Sequence, residues 1–420
     1  MTLIALLLAA LLAAAASPPP TAGPTATRIE HDPHDPGPDS ATLSLTPRPG
    51  GARIPIDVRG NLIYFRGRIN ESDSLWMVLD SGASANVVDA GVARAIGLAP
   101  SGSTRAQGAG GRVEVATVPE ATVRLSGATL AGAPITAMPL DAFKRQSGRA
   151  MEAIIGHPLL DRCVVRIDYL GRTMEFLRAD TFEYRGNGAV LPLTFDHRLP
   201  YITARLTLPG RKPLTGRFVI DLGSSQALIL TPTFVKEHNV LGAIPRTIEA
   251  RGRGVGGQLP SRVGRVARLE IGVIDLVRPV TMMPVQEQAY VSAADAIGNI
   301  GGEILRRFTV TFDYPRTRMI LEPNARLHDA FEADMSGLGL RMGPDGSGTL
   351  QVEWIQSPSP AAEAGMRADD LIEQVDGRPA LEVGIPGLRE MFRRAGESHR
   401  FGVRRGDQQL VIAFTTRRLI

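Results

Sequence analysis

Two aspartates of this sequence stand in matching surroundings. "WMVLDSGASANVV" (76–88) carries Asp80 and "RFVIDLGSSQALI" (217–229) carries Asp221. In each, an apolar run leads into Asp, one residue, Gly and two small residues, and a second apolar run follows. Burying a carboxylate is costly unless it is paired or hydrogen-bonded, so an aspartate delivered by a run that reads as a buried strand calls for a use. One Asp-Ser-Gly alone is ordinary turn composition; a second copy changes its meaning. Brought close together, two such carboxylates cannot both ionise, and they hold one proton between them. The ionised member can act as general base on a water held between them, while the protonated member donates to the carbonyl oxygen of a peptide under attack.

The elements that must position these aspartates are also duplicated. "RAQGAGGRVEVATV" (105–118) corresponds to "RGRGVGGQLPSRVG" (251–264), and "IIGHPLLDRCVVRIDYLGRTMEF" (154–176) to "NIGGEILRRFTVTFDYPRTRMIL" (299–321). In the last pair Ile155/Ile300, Gly156/Gly301, Leu160/Leu305, Asp168/Asp313, Tyr169/Tyr314 and Met174/Met319 coincide. Three blocks recurring in one order make residues 51 to about 180 and about 188 to 324 two copies of a single unit. Each copy reads as mostly strand, with runs such as "VVRIDY", "YITARLTL" and "FTVTFDY" between Gly and Pro turns. One short helix follows each Asp-x-Gly turn, capped by Asp89 in the first copy and by Thr231 with Pro232 in the second. The glycine clusters at 108–111 and 254–257 read as tips of β-hairpins. Neither opens a helix after a strand, so they are not phosphate-cradling loops. A pseudo-twofold axis between the copies would bring Asp80 and Asp221 together.

The chain has 420 residues, enough for two or three domains, with 43% hydrophobic and 21% charged residues, as in soluble globular proteins. Its 47 Lys plus Arg against 43 Asp plus Glu leave a charge of +4, spread out and without interleaved aromatic residues, so nucleic-acid binding is not expected. The apolar run from Leu3 to Ala16 is short for a bilayer span and closes in small residues before prolines, the pattern of a secretory signal peptide cleaved near Ala16 or Ser17. No stable membrane span is expected after cleavage. Cys163 is the one cysteine. It reads as a buried strand residue, and export without disulfides points to a bacterial periplasm. Residues 17–50, rich in Pro, Gly, Ser and Thr, read as a linker. The prolines in its "HDPHDP" keep His31 and His34 off a common helical face, so a solvated linker is expected there and not a metal site.

With these motifs the chain resembles the retropepsin-like aspartic proteases of the pepsin clan, in a bacterial single-chain, two-lobed form, over residues 51–324. The resemblance implies a mainly β fold of two homologous lobes, 51–186 and 187–326, related by a pseudo-twofold. It implies catalytic Asp80 and Asp221, with Ser81, Gly82 and Gly223 in their turns and Ile155, Gly156, Ile300 and Gly301 packed beside them. Gly108, Gly110, Gly111, Gly254, Gly256 and Gly257 would belong to flaps over a groove for peptide or protein substrates. No metal or organic cofactor is implied. The family has Asp-Thr/Ser-Gly, whose hydroxyls interlock across the lobes; Ser81 fits, but Leu222 stands at the matching place, with Ser224 and Ser225 as substitutes. The alternative is a catalytically silent, peptide-binding or assembly protein of the same fold.

Residues 327–420 change pattern. "SPAAEAGMRADDLIEQVDG" (359–377) resembles PDZ domains, and over residues 330–417 the order resembles the circularly permuted type attached to periplasmic proteases. Gly337, Leu338, Gly339 and Leu340 would then form a loop whose N–H groups receive the carboxylate of a C-terminal peptide ligand. Such a module is expected to be separable from the lobes.

Overall fold

The structure, a computed structural model, describes residues 2–5, 8–9, 41–46, 52–108, 110–286 and 295–420. The expected signal peptide and linker, with His31 and His34, lie largely outside these residues. The chain is mainly β, as the sequence implies.

The first sheet runs Ser101–Gly108, Gly111–Leu125, Ala128–Met138, Asn86–Asp89, Ala153–Ile155, Leu75–Leu79, Leu62–Ile69, Asp57–Arg59. A second sheet has the order Thr2–Ala5, Ile248–Gly254, Gly257–Arg265, Val280–Pro284, Leu228–Leu230, Ala296–Gly301, Leu214–Asp221, Leu199–Thr207, Arg268–Ile271, Ile274–Val277, with Thr194–Asp196 also paired to Leu199–Thr207. Corresponding strands therefore occupy corresponding places. In both sheets the strand that ends in the aspartate is central: an antiparallel neighbour flanks it on one side, and the short strand before Gly156 or Gly301 runs parallel on the other. Such strands are buried on both faces, which is why they read as unbroken apolar runs.

Both short helices form as expected. Asp89 Oδ1 accepts the Gly91 and Val92 N–H groups at the start of Ala90–Ala95, and Thr231 Oγ1 accepts that of Phe234 at the start of Pro232–Glu237. Helix Asp141–Ser147 was not anticipated. It ends at Gly148 in the left-handed conformation (φ 68°), where glycine avoids the Cβ clash.

The two halves are joined by a third sheet to which each contributes its repeated "DY" strand. Val164–Asp168 pairs antiparallel with Phe308–Asp313, with Val165 opposite Phe312 and Ile167 opposite Val310. Cys163 lies buried at the start of this seam, and burial pushes its thiol up to about 12, in keeping with a structural strand residue.

The C-terminal sheet runs Leu338–Met342, Leu350–Ile355, Leu371–Val375, Ser398–Arg405, Gln408–Thr415, over a core that includes Phe392, Phe401 and Phe414. It is not joined to lobe two by a free tether. The buried Arg307 guanidinium bonds the carbonyls of Arg326, Leu327 and Asp329, pairs with Glu303 (3.3 Å), and lies 3.7 Å from the Phe331 ring centroid. Leu419 also packs into the core shared by the lobes. Removing one partner of a buried, hydrogen-bonded charge leaves the others uncompensated. Arg307→Met is therefore expected to cost about 3 kcal/mol of stability. Urea unfolding checks this, and a loss under about 1 kcal/mol would show that segment 324–333 does not depend on the guanidinium.

Candidate active site

Asp80 follows the central strand of lobe one, and its N–H bonds to the carbonyl of Ile155 (2.9 Å). Asp221 closes the central strand of lobe two, opposite Gly301. Both side chains are fully buried. In each turn the glycine two residues on donates its N–H to the aspartate: Gly82 to Asp80 Oδ1 (2.7 Å) and Gly223 to Asp221 Oδ1 (2.8 Å).

The two turns meet face to face. A Cβ on Gly82 would lie 2.7 Å from Asp221 Oδ1, and one on Gly223 only 2.3 Å from Asp80 Oδ2. Each glycine thus makes room for the carboxylate of the other lobe, a reason for Asp-x-Gly that goes beyond turn geometry. Burial pushes both carboxyl groups above the ordinary aspartate range. Asp80 is raised well above it, first by burial and then by the charge of Asp221. The arrangement can hold one proton between two carboxyls.

The apolar-apolar-Gly elements lie where they were expected. A Cβ on Gly156 would sit 2.4 Å from the Ala83 carbonyl oxygen, and one on Gly301 2.5 Å from that of Gln226. His157 N–H bonds the Ala83 carbonyl (2.9 Å) and Gly302 N–H that of Ser224 (2.7 Å), while Ile155 and Ile300 are buried in the shared core. These bonds pin both catalytic-type turns from below.

Across the lobes the interlock is one-sided. Ser81 Oγ donates to the Ile220 carbonyl (2.7 Å) and accepts the Leu222 N–H (3.0 Å). Leu222 instead puts its side chain into the apolar core. The two serines proposed as substitutes serve their own turn: Ser224 Oγ accepts the Gln226 N–H (3.4 Å) and Ser225 Oγ the Gln226 side-chain amide (3.0 Å). A second tie does cross the lobes, from Asn61 Nδ2 to the Ser225 carbonyl and to Glu303, both at 2.8 Å.

The glycine clusters form the predicted hairpins, with Gly108 opposite Gly111 and Gly254 opposite Gly257. Their tips touch. Gly110 N–H donates to the Val255 carbonyl (2.7 Å), and a Cβ on Gly256 would lie 2.1 Å from the Gly111 carbonyl oxygen. The Val255 side chain is buried among Leu62, Tyr64, Val78 and Ala106 of the other lobe.

Gly337–Leu340, read as a loop, departs from expectation, because Leu338, Gly339 and Leu340 belong to strand Leu338–Met342. Gly337 N–H, with that of Ser336, donates to Asp334 Oδ1 (3.2 and 2.9 Å), and Leu338 N–H goes to Ser336 Oγ (3.0 Å). The place read as open to a ligand carboxylate thus holds a carboxylate of the chain itself. Leu338 and Leu340 are buried, and Gly339 lies against the Trp354 indole. Edge strand Leu338–Met342 and helix Ala380–Met391 both pack against the lobe-one helix Asp141–Ser147, with Gly148 against Met342 and Ile385. The hairpin of lobe two is held as well, by Arg253 on Glu353 (3.5 Å) and by Arg251 over Trp354.

Sequence reasoning missed Asn299. Its Nδ2 donates to Asp221 Oδ2 at 2.5 Å. The signal was present in the alignment of "IIG" with "NIG", where an amide replaces the apolar Ile154.

A strand-borne pair of facing aspartates beside a small six-stranded module defines an aspartic-protease-type site joined to a peptide-binding type of domain. Residues 65–159 match the family described as Aspartyl protease, and residues 351–407 match the PDZ domain. The chain therefore contains an aspartyl protease domain and a C-terminal PDZ domain. No curated protein matches the chain.

Loss of the Ser81 hydroxyl would leave the Ile220 carbonyl and the Leu222 N–H buried without that partner. Ser81→Ala is expected to cost about 2 kcal/mol of stability and Ser81→Thr less. Equal unfolding midpoints for the two variants would show that the hydroxyl does not carry the interlock.

Proposed function

We propose that this protein is an aspartic endopeptidase that hydrolyses peptide bonds by activating a water between Asp80 and Asp221, with the PDZ domain selecting protein ligands. The observation that carries this reading is the face-to-face packing of the two turns, each glycine against the opposite carboxylate. In the proposed reaction the ionised aspartate takes a proton from water as its oxygen attacks the peptide carbonyl, and the protonated one donates to the carbonyl oxygen. We read the lobes as two copies about a pseudo-twofold, with the touching hairpins as flaps over an extended substrate. The apolar run at Leu3–Ala16 supports export to a periplasm, with a mature chain beginning near Ser17.

A second reading, a silent peptide-binding protein, draws on Leu222, which leaves lobe two without its hydroxyl. Incubation of the purified protein with an unstructured polypeptide from acidic to neutral pH separates the two. Asp80→Asn and Asp221→Asn are each expected to lower kcat about a thousandfold or more. Wild-type kcat/KM should fall on the acid side as the base gains a proton and on the alkaline side as the acid loses one. Because both carboxyls are raised, that bell should sit above the range of an ordinary aspartate pair. Leu222→Thr should keep or raise cleavage. Cleavage that persists in Asp80→Asn would remove the dyad, and a wild-type protein inert under all conditions would favour the binding reading.

A further inference from the structure

The two aspartates are not equivalent, and the difference comes from one side chain. Asn299 lies on strand Ala296–Gly301, opposite Val219 in the parallel pairing with Leu214–Asp221, and it is fully enclosed. In lobe one the same place, before Ile155-Gly156, is filled by Ile154. Asp221 consequently receives an N–H on each oxygen, from Gly223 on Oδ1 (2.8 Å) and from Asn299 on Oδ2 (2.5 Å). Asp80 receives one on Oδ1, from Gly82 (2.7 Å), while its buried Oδ2 has no well-aligned donor among the described residues, with only the Gly223 backbone, whose N–H is already given to Asp221, close beside it. N–H donors stabilise a carboxylate, whereas a buried oxygen that lacks them and faces a second carboxyl is stabilised by carrying the proton.

We propose that Asn299 is the positioning residue that makes the pair asymmetric: its amide holds Asp221 as the carboxylate, so that Asp221 is the base and Asp80 the acid. This rests on the peptidase reading above. As the water oxygen bonds to the carbonyl carbon, a water proton passes to Asp221, the C=O π pair becomes an O–H with the proton of Asp80, and the pair still holds one proton. The directions of titration agree with the geometry. Burial is the largest influence on both groups, the charge of Asp221 raises Asp80 further, and the Asn299 amide is the strongest influence holding Asp221 down.

Other titratable groups near the pair bear on any pH test. Tyr314, at the end of the interlobe sheet, lies within electrostatic reach of Asp80, Asp221 and Asp161, and burial keeps its phenol un-ionised. Behind it, 5.8 Å between ring centroids, His157 is held down to about 4 by burial. Glu303, tied to Asn61, is surrounded by Arg306, Arg307 and Arg393. A readout tied to the aspartates themselves is therefore required.

The test is a titration of the full-length protein carrying ¹³C-labelled aspartate carboxyls, with kcat/KM profiles alongside. In the wild type the carboxyl that ionises at lower pH should be Asp221, assigned through Asp221→Asn. Asn299→Ile, which installs the residue lobe one already uses, should raise that lower step by about one pH unit, and the acid limb should move with it. Should isoleucine disturb the turn, the smaller Asn299→Ala, which also lacks a donor, carries the same expectation. Adding Ile154→Asn to Asn299→Ile should transfer the low-pH step to Asp80. A lower step that does not move in Asn299→Ile or Asn299→Ala, or that belongs to Asp80 in the wild type, overturns the proposal. The carboxyl titration reports the proton whether or not a peptide is cut, so failure of the peptidase reading and failure of this one are distinguishable.

Discussion

The approach of two backbone turns to within van der Waals contact is the constraint on which the rest of the structure depends. Gly82 and Gly223 leave no space for a Cβ because the carboxylate of the opposite lobe fills it. Buried charges at such range repel strongly, so the turns stay together only if a proton is shared and the backbone is held from elsewhere. The restraints are visible on each side. Ser81 bridges to the far strand, the Gly156 and Gly301 elements grip the turns from below, and the paired "DY" strands join the lobes as one sheet. The hairpin tips close the opposite side, with Gly110 and Gly256 allowing main chain to meet main chain.

Within this frame the two halves differ at two places beside the aspartates. Lobe one keeps the bridging hydroxyl of Ser81 and an apolar Ile154. Lobe two exchanges the hydroxyl for buried Leu222 and gains the amide of Asn299. Leu222 adds to the core, with a buried leucine contributing about 2 kcal/mol, so lobe two has apolar packing where lobe one has a polar bridge. Asn299 stands where lobe one has apolar packing and gives its amide to Asp221. A homodimer built from one sequence could not separate these roles, because both copies would carry the same residue. Two lobes in one chain can.

The PDZ domain is part of the wall around this site and not a distant appendage. Helix Asp141–Ser147, against which its edge strand packs, lies between the Leu140 N–H bonded to Asp89 and Glu152, whose carboxylate takes the N–H of Trp76 at the head of the Asp80 strand (2.7 Å). Its Glu353 and Trp354 meet the hairpin strand of lobe two through Arg253 and Arg251. A peptide adding beside Leu338–Met342 must compete with the lobe-one helix, and one presenting its carboxylate to Gly337 must compete with Asp334. The module is therefore in direct contact with elements of both lobes.

What the sequence disclosed and what it hid divide along a physical line. Asp80, Asp221, the glycine hairpins and the apolar-apolar-Gly elements were legible because each is a local pattern, occurring twice, whose backbone requirement dictates the residue type. The caps at Asp89 and Thr231 were legible for the same reason. Asn299 stood in plain view as an amide aligned with Ile154, but the direction of a side chain on a strand acquires meaning only once the neighbouring strand is known to end in Asp221. Arg307 reads as one of many arginines until the folded chain brings the carbonyls of 326, 327 and 329 around it, and so the module after lobe two read as separable. Asp334 is the sharpest case. Three residues ahead of Gly337, it is an ordinary acidic residue in sequence, yet the same N–H groups that make the loop suited to a ligand carboxylate make it suited to this one. A motif shows which groups can bind; the fold decides which carboxylate is already there.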